Sequence, residues 1–461
     1  MKVISITIIT AILLASSLLR AQEQPFRLTL AQAREYALQH NKTLLNARDQ
    51  ASSSKEKIRE SIAQGLPQVN GSLDYMTYFN YEMNFSFGSG SGGTLPDFTQ
   101  LPYDPGDEAI FWDIIGMMGT SEPIIMDDQL SGNVQVSQLI FSGQYLFGIK
   151  AAKIARKLAE QSVVASELDI KENVTNSYFL ILMTEHSLRI LGENLVNLTA
   201  IQQHTENLYK AGVAEETDVD QLKITVSQLK NTQKALERMN QLNYNMLKFQ
   251  LGVAPDADIT LADNLDRVME MIDSQSSLST DFDITNNINY QLMESQVLLN
   301  KKLVDIQNMA YAPTVAGFYS YTEKFITTAF DLTPNHLAGF NMSVPIFSSG
   351  MRRALVAQAK INLNIARRNQ EMVKDQLETQ KSQLLFNYQN ALENFNTQKE
   401  NVAIAGRVYK SIQNKYQQGL ASSLDLTQAN SNYLNAENNY LSSVLTLLQA
   451  QTSLDKLFNR L

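Results

Sequence analysis

The residues best able to do chemistry sit in two turns that are versions of one another. Leu208 to Gln221 reads LYKAGVAEETDVDQ, and Lys415 to Gln428 reads KYQQGLASSLDLTQ, 207 residues later. Each holds a glycine (Gly212, Gly419) and, six residues on, an aspartate (Asp218, Asp425). A carboxylate at the start of a helix can accept a backbone N–H and interacts well with the positive end of the helix dipole. Ser422-Ser423-Leu424-Asp425 is a capping-box pattern, and Asp218 can cap the helix that follows its own turn. The glycines sit where an ascending helix would stop.

Little else points to catalysis. The four histidines, His40, His186, His204 and His336, do not pair at metal-ligand spacing, and cysteine is absent. No GxSxG, phosphate loop or dinucleotide fingerprint occurs. The scattered Asp and Glu residues read as solvated helix faces. The expectation is a protein that is not an enzyme and needs no cofactor.

The elements that must carry the turns are long. After Pro123 the next proline is Pro255, and after Pro345 there is none. The breaker-free stretches, rich in Ala, Leu, Gln, Asn, Lys and Glu, predict helices. Gln144 to Lys210 as one helix would extend about 100 Å at roughly 1.5 Å per residue. Met351 to Gln417 predicts the same, and return helices of about half that length follow from Thr217 and Leu424. Apolar residues such as Leu385, Leu392, Phe395, Val402 and Ile412 form a thin seam suited to coiled-coil packing.

A second period is also clear. From Val69 to Phe87 the odd positions are largely apolar or aromatic and the even positions largely polar. That is one strand with two unlike faces, long enough to span a membrane. Val134, Val136 and Ile140 predict its partner. Val315, Gly317, Tyr319 and Tyr321, then Phe340, Met342, Val344 and Ile346, predict a second pair. Leu66-Pro67-Gln68-Val69 returns as Ala312-Pro313-Thr314-Val315, 246 residues later. The chain is therefore one unit written twice, a plan used by pores and transporters. Between the first strands lies an acidic, Gly- and Pro-rich segment, Gly88 to Ser131, which has no counterpart in the second copy and predicts an outward-facing loop.

The start of the chain, MKVISITIITAILLASSLLRAQ, predicts a secretory signal peptide over residues 1–21. Its removal takes Lys2 and Arg20 and moves the net charge from −9 to −11. The acidic remainder argues against nucleic acid as a partner. With no lipobox cysteine, an N-terminal lipid anchor is not expected. The predicted first repeat covers 22–283, with strands at about 66–87 and 132–142, a helical hairpin at about 144–251 and a linker at 252–283. The second covers 284–461, with strands at about 312–325 and 337–347 and a hairpin at about 351–461.

This arrangement resembles the TolC-like outer-membrane efflux proteins along nearly the whole mature chain. Leu28 to Ala47 looks like their opening helix, with Asn41 in the usual place and Asn287 matching it in the second copy. Ile140-Phe141-Ser142-Gly143 and Pro345 to Gly350 look like the family's strand-to-helix junctions. The resemblance implies a mixed α and transmembrane β fold: a homotrimer with a twelve-stranded barrel in outer-membrane lipid, continuous with a periplasmic α-helical tunnel. It implies a passive exit channel that works with a periplasmic adaptor protein and an inner-membrane pump. By resemblance Tyr416 and Asp218 are a hydrogen-bonded pair that closes the entrance, and Asp425 lines the constriction. Gln428 sits where the family's type member has a second acidic ring, and Ala421 where it has an arginine. Gly212, Val213, Gly419 and Leu420 correspond to the adaptor-docking tip. The exit channel of a type I protein-secretion system and a non-conducting coiled-coil scaffold stay open as alternatives.

Overall fold

The computed structural model describes residues 26–79, 81–83, 124–126, 128–270, 282–326 and 333–461. The expected signal peptide and most of the Gly88–Ser131 segment lie outside them. The chain opens with β1 (Phe26–Leu28), α1 (Leu30–His40) and α2 (Lys42–Ala63). Strands β2 (Gln68–Met76), β3 (Tyr81–Met83), β4 (Ile124–Met126) and β5 (Gln129–Ser142) lead into α3 (Gly143–Lys210) and α4 (Glu216–Leu251). Then come β6 (Ile259–Leu261), α5 (Leu265–Glu270), a 3-10 turn (Ile284–Asn286) and α6 (Ile288–Met309). Finally β7 (Thr314–Ile326) and β8 (His336–Ser343) precede α7 (Met351–Gln417) and α8 (Ser423–Leu457). The residues gather into two compact units: one of residues 57–152 and 302–359, the other of the remainder.

The first of these units is built on an antiparallel sheet in the order β2-β5-β7-β8. Its register aligns the two unlike faces across all four strands. Val69 lies opposite Val136, Val136 opposite Tyr319, and Tyr319 opposite Ala338. One residue along, Asn70 faces Gln135, Gln135 faces Ser320, and Ser320 faces Leu337. Asn133 Nδ2 donates to Ser320 Oγ at 2.7 Å and Thr322 Oγ1 at 2.8 Å on that polar side. The apolar side is open: Val69 is 67% exposed, Leu73 69% and Phe340 82%. A bulge in the β5–β7 pairing between Leu139 and Phe141 sets both Ile140 and Phe141 near Val315, so the strand's end adds two apolar side chains to that face.

Two predicted strand ends need correction. The alternation over 66–87 does not form one strand. It breaks after Met76, Phe79 takes φ +52°, and Tyr81–Met83 pairs separately with β4. Side-chain alternation reports faces and is blind to a local reversal of backbone. The last strand ends at Ser343 rather than 347. Pro345 offers no N–H to a ladder, and Ser349 (φ +47°) and Gly350 (φ +84°) turn the chain into α7.

The helical unit repeats itself in detail. Asn41 is buried between α1 and α2; its Oδ1 accepts the N–H groups of Thr43 and Leu44, and its Nδ2 donates to Gln250 O at 2.7 Å. Asn287 does the same 246 residues later, accepting from Asn289 N and donating to Leu457 O at 3.0 Å. Each asparagine thus caps one helix and satisfies a carbonyl at the end of another. Asn41→Ala or Asn287→Ala removes these bonds and takes the side-chain donor from the carbonyl of half-buried Gln250 or of buried Leu457. Each is expected to cost about 1–3 kcal/mol, read as a lower urea midpoint. Within the same unit β1 and β6 form a short parallel pair. Tyr178, fully buried, donates to Asp263 Oδ2 at 2.9 Å; that carboxylate also accepts Leu30 N. Neither the pair nor this network was read from the sequence.

Candidate functional site

The turns joining α3 to α4 and α7 to α8 close in the same way. Gly212 (φ +76°) and Gly419 (φ +74°) adopt the left-handed conformation that side chains resist. Gly212 N donates to Tyr209 O and Val213 N to Leu208 O; Gly419 N donates to Tyr416 O and Leu420 N to Lys415 O. This is a Schellman stop written twice. Val213 and Leu420 follow the glycines and stand about three-quarters exposed, at 74% and 72%.

Past the turns the copies diverge, and one residue explains why. Ser422 is the N-cap of α8, and a reciprocal box joins it to Asp425. Ser422 Oγ accepts Asp425 N at 3.1 Å, while Asp425 Oδ2 accepts from Ser422 N at 3.0 Å. The equivalent N-cap of α4 is Glu215, which makes no side-chain capping bond. Asp218 is therefore not engaged by a local cap, and its Oδ1 accepts from Ser423 Oγ of the other copy instead.

The sequence-predicted Tyr416–Asp218 hydrogen bond is not formed. Tyr416 OH lies 2.7 Å from Thr205 Oγ1, while Asp218 holds Ser423. Two separate ties, each crossing between copies, stand where one was expected. A third lies deeper: Asn194 Nδ2 donates to Asn430 Oδ1 at 2.5 Å, both residues buried. Around them pack Leu198, Ile201, Leu222, Val226 and Leu426. The sequence reading missed Thr205, Ser423, Asn194 and Asn430. Thr205 had a signal, since it continues the spacing of Leu198 and Ile201 as a polar residue in an apolar seam. Gln428 Nε2 donates to Asn432 Oδ1 at 2.9 Å, on the exposed side of α8.

Burial, foremost, pushes the Tyr416 hydroxyl above its ordinary range. The Ser422 backbone N–H and hydroxyl hold Asp425 below the usual carboxylate range. A group depressed on folding contributes stability above its unfolded pKa of about 3.9 and loses it as pH falls through the lower folded value. The first turn of α8 is thus expected to lose amide protection, taken relative to the intrinsic exchange rate at each pH, as pH drops below about 4. Asp425→Asn should flatten that acid limb in hydrogen-exchange measurements.

No curated protein matches the sequence. Solved structures do match the fold. CusC, described in connection with transmembrane channel formation, is 15% identical, with 95% of each chain covered and a TM-score of 0.71. The Vibrio cholerae outer membrane protein VceC is 17% identical over 93% of this chain and 94% of its own, at 0.66. The Campylobacter jejuni CmeC outer membrane channel is 16% identical over 94% and 85%, at 0.69. The family model for outer membrane efflux proteins matches residues 33–253 and 286–460, so both copies of the repeat fall inside it. The chain belongs to the outer membrane efflux protein family.

Proposed function

We propose that this protein is the outer-membrane exit channel of a tripartite efflux system, assembled as a homotrimer with a periplasmic extension. The observation that carries the reading is the open apolar face of the four-stranded sheet, aligned strand by strand from Val69 to Phe340. Water disfavours such a face, whereas lipid suits it. A coiled-coil scaffold has no use for it. Among the described residues no strand pairs with the outer edges of β2 and β8, and lipid cannot hydrate such edges, so the sheet needs copies of itself. Three chains supply twelve strands, enough to close a barrel with a lumen lined by the Asn70, Gln135 and Ser320 side.

In this reading the paired hairpins form the periplasmic entrance. Asp425 and Gln428 face the constriction, and Asp218 and Tyr416 hold the hairpins together through Ser423 and Thr205. Gly212, Val213, Gly419 and Leu420 form the tip that meets the adaptor, and an inner-membrane pump supplies the energy. The channel itself is a passive conduit, and no catalytic residue is assigned. Native mass measurement and single-channel recording in planar bilayers test the proposal. A trimer that conducts, with cation preference reduced by Asp425→Asn, is the expected result. A monomer that leaves bilayers silent would sink it.

A further inference from the structure

The unit that carries the sheet has its positive charge at one end. Of the seven Lys and Arg residues in 57–152 and 302–359, six lie on helices: Lys57, Arg59, Lys150, Lys302, Arg352 and Arg353. Those helices all reach the sheet at the same end. α2 leads into the start of β2 and α6 into the start of β7, while α3 and α7 follow the ends of β5 and β8. In the register Ser142 lies opposite Thr314, and Thr314 opposite Ser343. Each of the six cations is at most seven residues from the helix end beside the sheet. That is about 10 Å at roughly 1.5 Å per residue. The seventh cation, Lys324, lies toward the far end, with Asp74 and Glu323.

The basic end is short of carboxylates. Lys57 pairs with Glu60 and Lys302 with Asp305. Among the described residues no acid pairs with Lys150, Arg352 or Arg353. Two ammonium groups are moreover set against one ring: Lys150 Nζ stands 4.7 Å and Lys302 Nζ 5.7 Å from the centroid of Phe147. The ring attracts each cation, but the cations repel one another, and one Asp305 does not neutralise both. An oxyanion within reach of both would offset that repulsion. Beside these charges the surface is apolar. Between the end of β8 and Arg352, Ile346 is 93% exposed and Phe347 85%. Water suits the cations alone, whereas a phosphate that carries hydrocarbon suits both kinds of group.

We propose that this rim binds anionic phospholipid, its phosphate held by Lys150, Lys302, Arg352 and Arg353 and its acyl chains lying on Ile346, Phe347 and the apolar face of the sheet. The inference rests on the membrane reading above and adds the class of lipid and the residues that select it. A free phosphate would satisfy the charges and leave Ile346 and Phe347 bare. The headgroup layer on each side of a bilayer is about 5–8 Å deep. Lys and Arg stems run along apolar surface and carry their charges several ångströms from the backbone. Cations spread over about 10 Å of helix can therefore share one headgroup layer. Each Lys or Arg near such a surface raises the affinity for anionic lipid roughly fivefold. The acid-bearing far end gains nothing of the kind, so the sheet meets the two leaflets differently.

The test titrates the full-length protein, extracted in detergent, with palmitoyl-oleoyl phosphatidylglycerol or phosphatidylcholine and counts bound lipid by native mass spectrometry. Phosphatidylglycerol should be retained at a concentration lower by roughly tenfold or more. Arg352→Gln with Arg353→Gln, and separately Lys150→Gln with Lys302→Gln, should each remove most of that preference. Lys324→Gln, at the other end of the sheet, should leave it unchanged. Glycerol phosphate, the anion without the chains, should not compete at equal concentration. The trimer peak in each spectrum reports whether a variant has folded, and the two pairs lie on different helices, so one can fail to fold without removing the test. A trimer that holds both lipids equally overturns the inference and leaves the exit-channel reading standing. So does a preference that survives both glutamine pairs, or one that glycerol phosphate abolishes. A monomer that retains neither lipid overturns both.

Discussion

Gly252→Ala is expected to cost more stability than alanine at any other described glycine of the helical unit. Gly252 ends α4 at φ +75°, and its N–H donates to Phe249 O. A Cβ built there would lie 2.3 Å from His40 O and 3.2 Å from Asn41 Cα. Both are backbone atoms of the α1–α2 junction, so no side-chain rotation relieves the clash. A left-handed alanine costs about 1 kcal/mol and overpacking about 1–3 more, a total of about 2–4 kcal/mol. Gly419 provides the contrast. It has nearly the same φ, +74°, but a Cβ added there would meet nothing within 4 Å. Gly419→Ala should cost only the conformational part, roughly 1 kcal/mol, and confine it to the tip. Urea unfolding of the two variants, side by side, decides the matter. Equal midpoints would mean that the α1–α2 junction yields freely and that the Asn41 network is not a rigid point of the fold.

The same junction indicates which parts of the fold a reader of the sequence can recover. Asn41 and Asn287 stand at one offset, and the hairpin glycines and aspartates at another, so the duplication and its turns are legible directly. Strand faces are legible too, because a period of two survives even where the backbone does not: the alternation runs on past Phe79 although β2 has ended. Three-residue strands such as β1 and β6 are too short to carry any period. Their pairing depends on residues 233 apart, Phe26 and Ile259, which no local pattern joins. The partner of Asp218 was illegible for a related reason. An aspartate at a helix start promises a local cap in either copy. Only Glu215 in place of a serine marks the first copy as different, and only the packed hairpins reveal that Ser423 receives the carboxylate.

That difference leads to an expected result at the entrance. If the hairpins part when the channel conducts, the ties that cross between copies oppose opening. Ser423→Ala removes a bond to a charged acceptor, worth about 1.5–3 kcal/mol, and should raise basal conductance by roughly tenfold or more. Tyr416→Phe removes a neutral bond, worth about 0.5–1.5 kcal/mol, and should do less, because Thr205 still donates to Ile201 O. Double-mutant cycles separate this arrangement from a direct Tyr416–Asp218 bond. Asp218→Ala with Ser423→Ala should be strongly non-additive, as should Tyr416→Phe with Thr205→Val. Tyr416→Phe with Asp218→Ala should come close to additive, since the two residues sit in different bonds. The measured quantity is the closed-to-open free energy from single-channel open probability. Strong coupling between Tyr416 and Asp218, with little between Asp218 and Ser423, would mean that the assembled channel re-pairs these side chains and that the single-chain geometry is not its closed state. The Asn194–Asn430 tie provides the control. It lies in the apolar seam around Leu198 and Leu222, where a buried amide pair sets register more than strength. Replacing both asparagines with leucine should therefore leave the fold at least as stable while loosening the alignment of the turns that end in Gly212 and Gly419.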